Sequence, residues 1–427
     1  MTDVSVGAQI FDLVFHPSHS TVYTALLNGK VKAFAYDQQG RHKEVFSVKL
    51  SQKSCRGIAI NEAGDKLYTV GKGKGLHTID TVTGKLLESR AKAHEVAINR
   101  VKHVNRTTVT GDDDGIIKGM QLWDPRTKDS VRKYTHHFDY ITDFLWLDDK
   151  KQLVATSGDG TLSVIDVRAK TTEPAAQSED QEDELLSIVP IKGATKIVVG
   201  TQLGILSVFN RSSGWGDCVD RIPGHPHSVD ALCALPASLP NVDPSSTILT
   251  GSSDGFVRAV SVFPTQLQGV VADHGEWPVE RIAVGEGMSE LTVNQGGDRG
   301  DNDDSNREDL PGHYWAGSAG HDELLKLTNL ASFFNGQNAE VGVDERQDND
   351  DADGGDGISI EGGPDDSVPF HAPHGTAKED SDEGSSDVEP EASKPRKRKK
   401  KEKDPLVQKK KKGRNEVEVE GGFFAEL

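Results

Sequence analysis

One strand–turn–strand phrase recurs along this 427-residue chain, and nothing else constrains its fold so strongly. Each copy is a strand ending in Thr, Ser or Gly, a Gly-centred turn, and an alternating strand that closes on an aromatic or aliphatic residue, often with Asp. The copies are TALLNGKVKAFAYD (24–37), TVGKGKGLHTID (69–80), TGDDDGIIKGMQLWD (110–124), TSGDGTLSVID (156–166), VGTQLGILSVFN (199–210) and TGSSDGFVRAVSV (250–262). A seventh, AGSAGHDELLKLTN (316–329), lacks the turn glycine. A repeat of this kind cannot bury both faces of its strands alone, so neighbouring copies must stack.

The turn glycines Gly29, Gly75, Gly115, Gly160, Gly204 and Gly255 are separated by 46, 40, 45, 44 and 51 residues. That spacing fits four-stranded propeller blades, at roughly 40–45 residues each. Asn28-Gly29, Asp114-Gly115, Asp159-Gly160 and Asp254-Gly255 are the dipeptides of tight hairpin turns. Upstream strands are predicted at IFDLVF (10–15), GIAI (57–60), ITDFLWL (141–147), LLSIVPI (185–191) and SVDALCAL (228–235). The expected fold is an all-β, seven-bladed propeller over residues 1–337, with six and eight blades open as counts. An acidic loop, 294–312, is expected as an insertion in the last blade; it holds six acidic and two basic residues.

Charge divides the remainder. Residues 340–393 carry 18 acidic and two basic side chains, and residues 394–414 carry 13 basic and two acidic. So polar a stretch cannot offset the entropy of ordering it. The expected organisation past the propeller is an acidic disordered tail over 338–393, then a Lys-rich segment and FFAEL terminus over 394–427. No run approaches the ~18 apolar residues of a membrane span. The start, MTDVSVGAQIF, lacks a basic then apolar leader pattern, so secretion is not expected. Cys55, Cys218 and Cys233 are too few and too scattered for a disulfide framework or a metal site, which points to the cytosol or nucleus.

The repeats resemble WD40 propellers. Asp114-Gly115 followed by Trp123-Asp124 carries most of the likeness; Ala93-His94 and Gly224-His225 resemble the family's GH dipeptide. Ile79-Asp80, Ile165-Asp166 and Phe209-Asn210 stand where Trp-Asp would be. The resemblance implies that His94, Thr110, Asp114 and Trp123 form a hydrogen-bonded structural set rather than a catalytic dyad.

Signatures of catalysis are missing from the sequence. It contains no GxxxxGK[ST] loop, HExxH or GxSxG, and Gly71 to Gly75 is a blade turn rather than a phosphate cradle. Asn349 to Gly354 opens like a calcium loop, but Ile360 occupies its twelfth position. No enzyme, cofactor, metal, membrane association or small-molecule substrate is expected.

Two constellations remain. The first is the pair of basic clusters, Lys394, Arg396, Lys397, Arg398, Lys399, Lys400 and Lys401, then Lys409, Lys410, Lys411, Lys412 and Arg414. They read as a nuclear-localisation signal for an import receptor and as phosphate contacts for RNA. Ser381, Ser385 and Ser386, set among acidic neighbours, are expected phosphorylation sites. The second is Trp123-Asp124-Pro125-Arg126, answered one blade later by Asp166 and Arg168. WDxR in consecutive blades resembles the motif by which some propellers dock onto the adaptor of a cullin-type ubiquitin ligase.

As a whole, the propeller, acidic stretch and Lys-rich end resemble the WD repeat-containing protein 55 family, on IFDLVFHP, NGKVKAF and the tail pattern. That resemblance implies a nuclear, nucleolar scaffold of ribosome biogenesis in pre-rRNA processing and large-subunit maturation. Its expected partners are pre-ribosomal proteins, with rRNA reached through the basic tail. A ligase substrate receptor and a histone-binding propeller with an aromatic cage are the rival readings.

Overall fold

A computed structural model describes residues 1–105, 107–121, 132–287 and 313–340. Seven antiparallel sheets of four strands each account for every strand among them. Six sheets are consecutive in sequence, over 10–49, 55–90, 98–134, 141–177, 185–222 and 229–273. Their inner strands are Ile10–Phe15, Cys55–Ile60, Ile98–Val104, Ile141–Leu147, Leu185–Ile191 and Val229–Ala234, and Val279–Gly287 begins the seventh sheet. Each inner strand packs against the next, and the seventh returns to the first, so the sheets close as blades around one axis. The expected strands at 10–15, 141–147 and 185–191 match in both bounds.

The seventh blade is completed from the other end of the chain. Thr2–Ser5 pairs antiparallel with Leu324–Asn329, aligning Val4 with Leu325. Val4 and Val6 are buried in the core shared with the first blade. No strand is predicted from sequence before residue 10, although the alternation of Val4 and Val6 is the signal of this closing strand.

Most turn glycines adopt the left-handed conformation their dipeptides call for: φ is +75° at Gly29, +72° at Gly115, +78° at Gly160 and Gly204, and +87° at Gly255. A Cβ on Gly255 would also lie 1.9 Å from the Gly275 carbonyl, so no other residue fits there. Gly75 departs from expectation: Lys74 takes the left-handed turn position, with φ +65°. Gly75 is required instead by close approach, because a Cβ there would sit 2.9 Å from the Arg90 carbonyl oxygen. In the seventh blade Glu323, at φ +60°, stands where the turn glycine is lost.

Strands end at Asn329, and a helix, Leu330–Glu340, runs past the expected boundary at 337. The Asn329 side chain caps it, accepting from the Ser332 amide at 3.0 Å. Leu330 and Phe334 bury one face against Leu235, Leu239 and Tyr314. The helix was not foreseen, though an Asn followed by apolar residues four apart is its ordinary start signal.

Candidate functional site: the propeller axis

The axis is built by a defect repeated seven times. Each inner strand slips register against its neighbour after its first residue: Ile10/Asp12, Cys55/Gly57, Ile98/Arg100, Ile141/Asp143, Leu185/Ser187, Val229/Ala231 and Val279/Arg281. A bulge of this kind leaves one residue unpaired and re-aims its side chain. The bulged residues, Phe11, Arg56, Asn99, Thr142, Leu186, Asp230 and Glu280, ring one mouth of the axis and line a cavity of about 300 Å³. The residues that follow form a second ring, Asp12, Gly57, Arg100, Asp143, Ser187, Ala231 and Arg281. Two positions further along, Val14, Ala59, Lys102, Leu145, Val189, Cys233 and Ala283 line a second cavity of about 400 Å³.

The middle ring is a charged plug. Arg281 Nε donates to Asp12 Oδ1 at 2.9 Å, and its Nη1 and Nη2 donate to the two oxygens of Asp143 at 3.1 and 3.2 Å. One guanidinium thus ties the seventh blade to the first beside it and to the fourth across the axis. Burial opposes the charge of Arg281, but Asp143 and Asp12 outweigh it and hold its pKa above the ordinary value. Burial likewise works against the Asp143 carboxylate, and Arg281 and Arg100 overcome it, keeping that pKa below the usual range. Beneath the plug Lys102 donates to the Phe144 carbonyl at 3.1 Å, and burial lowers its pKa. Burial pushes the Cys233 thiol up to about 11, so it stays protonated at neutral pH and is a poor nucleophile.

Histidines on the loops between blades act as locks. His94 Nδ1 meets Asp112 Oδ2 at 2.6 Å and its Nε2 meets Thr110 Oγ1 at 2.7 Å. Here the structure corrects the expected set: the carboxylate is Asp112, not Asp114. Thr110 and Asp112 are two apart in one strand and face the same way, whereas Asp114 lies beyond it, exposed in the turn. Asp112 also accepts from the amides of Asp114 and Ile116 at 3.1 and 2.8 Å, closing the turn with its other oxygen. His137 with Asp159 and Ser163, and His274 with Asp322 and Ser318, repeat the arrangement. His225 meets Thr250 Oγ1 at 2.9 Å; burial, then the nearby Arg258 charge, lowers its pKa to about 4. His94, His137 and His274, buried and held by neighbours at both nitrogens, fasten the loops between blades to the blade that follows.

Of the docking pair, Asp166 and Arg168 are described. Arg168 Nε and Nη2 donate to the two Asp166 oxygens at 3.0 and 2.8 Å, a planar fork presented on the surface. Trp123, Asp124 and Arg126 lie outside the described residues, as do the loop 294–312, Ser381, Ser385 and Ser386, the basic clusters from Lys394 to Arg414 and the FFAEL terminus. Among the described residues no group of three or more His, Cys, Asp or Glu is arranged to hold a metal ion. No helix among them is long and apolar enough to cross a membrane.

The plug, unlike the locks, was overlooked in sequence. Its trace is a charged third residue in four of the inner strands, IFD, INR, ITD and VER.

Comparison with known proteins agrees with this architecture. The WDR55 family profile matches residues 1–293. The chain is 54% identical to WD repeat-containing protein JIP5 of Laccaria bicolor over the whole of both chains. It is 60% identical to the protein of the same name from Coprinopsis cinerea, over 78% of this chain and 75% of the relative. WD repeat-containing protein 55 of Mus musculus is 33% identical over 77% of this chain and 75% of its own. With a seven-bladed propeller and a match over most of its length, the chain belongs to the WDR55 family.

Proposed function

We propose that this protein is a non-enzymatic nucleolar scaffold of ribosome biogenesis, serving pre-rRNA processing and large-subunit maturation through protein–protein contacts. The observation that carries the scaffold reading is the use made of its polar groups. The His, Asp and Arg constellations of the locks and the plug are spent on joining blades, which leaves rims, loops and the axial mouth as rigid surfaces for partners. The basic clusters at 394–414 support nuclear entry through an import receptor and retention by rRNA phosphates. Depleting the protein and probing ribosomal RNA precursors by northern blot tests the reading: large-subunit precursors accumulate if it holds, and an unchanged precursor pattern overturns it. Removing 394–414 moves the protein to the cytoplasm; unchanged nucleolar staining removes that part.

A second reading, docking onto the adaptor of a cullin-type ubiquitin ligase, is favoured by the Asp166–Arg168 fork alone. It requires that Arg126→Ala with Arg168→Ala abolish co-purification of the adaptor.

A further inference from the structure

In an antiparallel blade, the turn between the second and third strands and the connection to the next blade fall at one end. The bulge mouth opens at that end. Leu27 at 49% exposed stands out from a turn there, and three larger exposures cluster with acidic residues: Phe138 at 91%, Leu203 at 59% and Trp277 at 54%. Each of these three sits beside carboxylates. The connection from the fourth blade to the fifth reads Glu179-Asp180-Gln181-Glu182-Asp183-Glu184. The Phe138 amide donates to Asp159 at 2.9 Å, the Leu203 amide to Asp183 at 3.2 Å, and Trp277 follows Glu276.

The acidic connection reaches the axis. Tyr140, which lines the mouth, donates its hydroxyl to Glu184 at 2.7 Å. Inside the mouth, Asp230 is held by Ser228 and Ser253 at 3.0 and 2.7 Å, and Glu280 by His321 at 2.7 Å. Among the described residues no Lys or Arg forms an ion pair with Asp230 or with any carboxylate of 179–184. Arg56 and Arg100 line the other side of the mouth and Arg221 reaches Gln181, but the five carboxylates of 179–184 with Asp230 and Glu280 outnumber them on this side, and such an excess raises the local concentration of cations. The same charge repels phosphate and so disfavours nucleic acid on this half of the face.

We infer that this end of the propeller docks an extended Lys/Arg-rich segment of a partner protein, one of whose basic side chains enters the axial mouth toward Asp230 and Glu280. Flanking basic residues meet the 179–184 carboxylates, and apolar residues of the segment rest on Phe138 and Leu203. A cavity of about 300 Å³ has room for one lysine or arginine side chain; Arg100 lines it, and the Arg281 plug lies one residue further along the inner strands, against the second cavity. The inference concerns the chemistry of the partner and stands whether or not the protein works on ribosomes.

Fluorescence anisotropy of a labelled, short Lys/Arg-rich peptide against the full chain tests it, with one probe carrying a pair of leucines and a second carrying glycines in their place. Glu179→Gln with Glu182→Gln, both exposed and hence tolerable to the fold, weakens either probe about tenfold, as two exposed ion pairs of roughly 0.7 kcal/mol each predict. Asp230→Asn weakens both again. Phe138→Ser with Leu203→Ser weakens the leucine probe and leaves the glycine probe unmoved. The acidic stretch 338–393 is the same in every variant, so it cannot produce these differences. Equal affinity across wild type and variants overturns the inference, and so does binding of a single-stranded RNA oligonucleotide that depends on Phe138. Peptide binding and rRNA processing are read in separate assays, so either can fail alone.

Discussion

Arg281→Met keeps the bulk of the side chain and removes its charge, leaving Asp12 and Asp143 facing each other across the axis. Their side chains are 3% and 10% exposed, and Arg281 makes three hydrogen bonds to them. Removing one partner of a buried ion pair costs about 3–5 kcal/mol, because the opposite charge is left uncompensated. That is a large share of the ~5–15 kcal/mol by which domains are usually stable. Urea unfolding of the full chain, followed by tryptophan fluorescence, reads the loss as a lower midpoint. Adding Asp12→Asn and Asp143→Asn to Arg281→Met discharges the stranded carboxylates and recovers more than half of the deficit. The pH dependence gives an independent check. In the wild type Asp143 has a folded pKa below its unfolded value, so its contribution is full above about pH 4 and is lost as pH falls. In Arg281→Met the buried Asp143 carboxylate loses the largest of the charges that stabilise it, so its folded pKa rises. Acidification then narrows the gap between variant and wild type. A loss below about 1 kcal/mol, or a gap that widens as pH falls, refutes the plug as an energetic tie between blades.

Asp112→Ala strands His94 and two turn amides and costs about 2–3 kcal/mol, whereas the exposed Asp114→Ala stays within ~0.5 kcal/mol; thermal unfolding of both variants decides between the two aspartates. Burial lowers the pKa of His94 and of His225, so these contributions are present above the unfolded value near 6.5 and are lost as pH falls. His225 then costs up to about 1.4 kcal/mol per pH unit between about pH 6.5 and 4, and His225→Gln flattens the melting profile over that window. Removing residues 1–6 takes away the closing strand with buried Val4 and Val6, costs about 3 kcal/mol or more, and leaves an open edge that pairs with other copies; light scattering and unfolding midpoints check both parts.

What was legible in the sequence is what repeats. Strands with apolar alternation and Gly-centred turns depend on neighbours within a few residues, so IFDLVF and ITDFLWL could be bounded from sequence alone. Pairing between distant segments left weaker traces. Thr2–Ser5 is ordered only by Leu324–Asn329, more than 300 residues away, and its two valines mean little without that partner. The Asp114 assignment failed for a local reason. Asp-Gly marks the turn correctly, yet a lock needs a side chain facing inward from the strand, and strand alternation selects Asp112. In the fourth blade the same dipeptide does supply the locking carboxylate, Asp159, so the dipeptide alone cannot distinguish the two cases. The plug was missed because its ends lie 269 and 138 residues apart and meet only where seven bulges converge.

Those bulges also explain where a symmetric wheel can carry a specific surface. The seven blades repeat one backbone, and wherever their side chains repeat too, as in the locks, the residues serve the shared task of stacking. Specific recognition needs positions that are geometrically equivalent and chemically different. The mouth ring is such a set, since Phe11, Arg56, Asn99, Thr142, Leu186, Asp230 and Glu280 are seven different residues at one structural position. Its two unlike-charged sides are fixed by the blade order, with Arg56 on the second blade and Asp230 and Glu280 on the sixth and seventh. Arg281 joins blades one, four and seven directly beneath it, so the spacing of these groups is set by the plug rather than by the loops. A partner reading that ring therefore meets a surface held from beneath, and loosening the plug should blur recognition even where every residue of the mouth is intact. Arg281→Met with Asp12→Asn and Asp143→Asn, refolded to near wild-type stability, separates the two effects: weaker binding of the basic peptide probes with unchanged mouth residues is the expected result, and full affinity shows that the loops alone set the spacing.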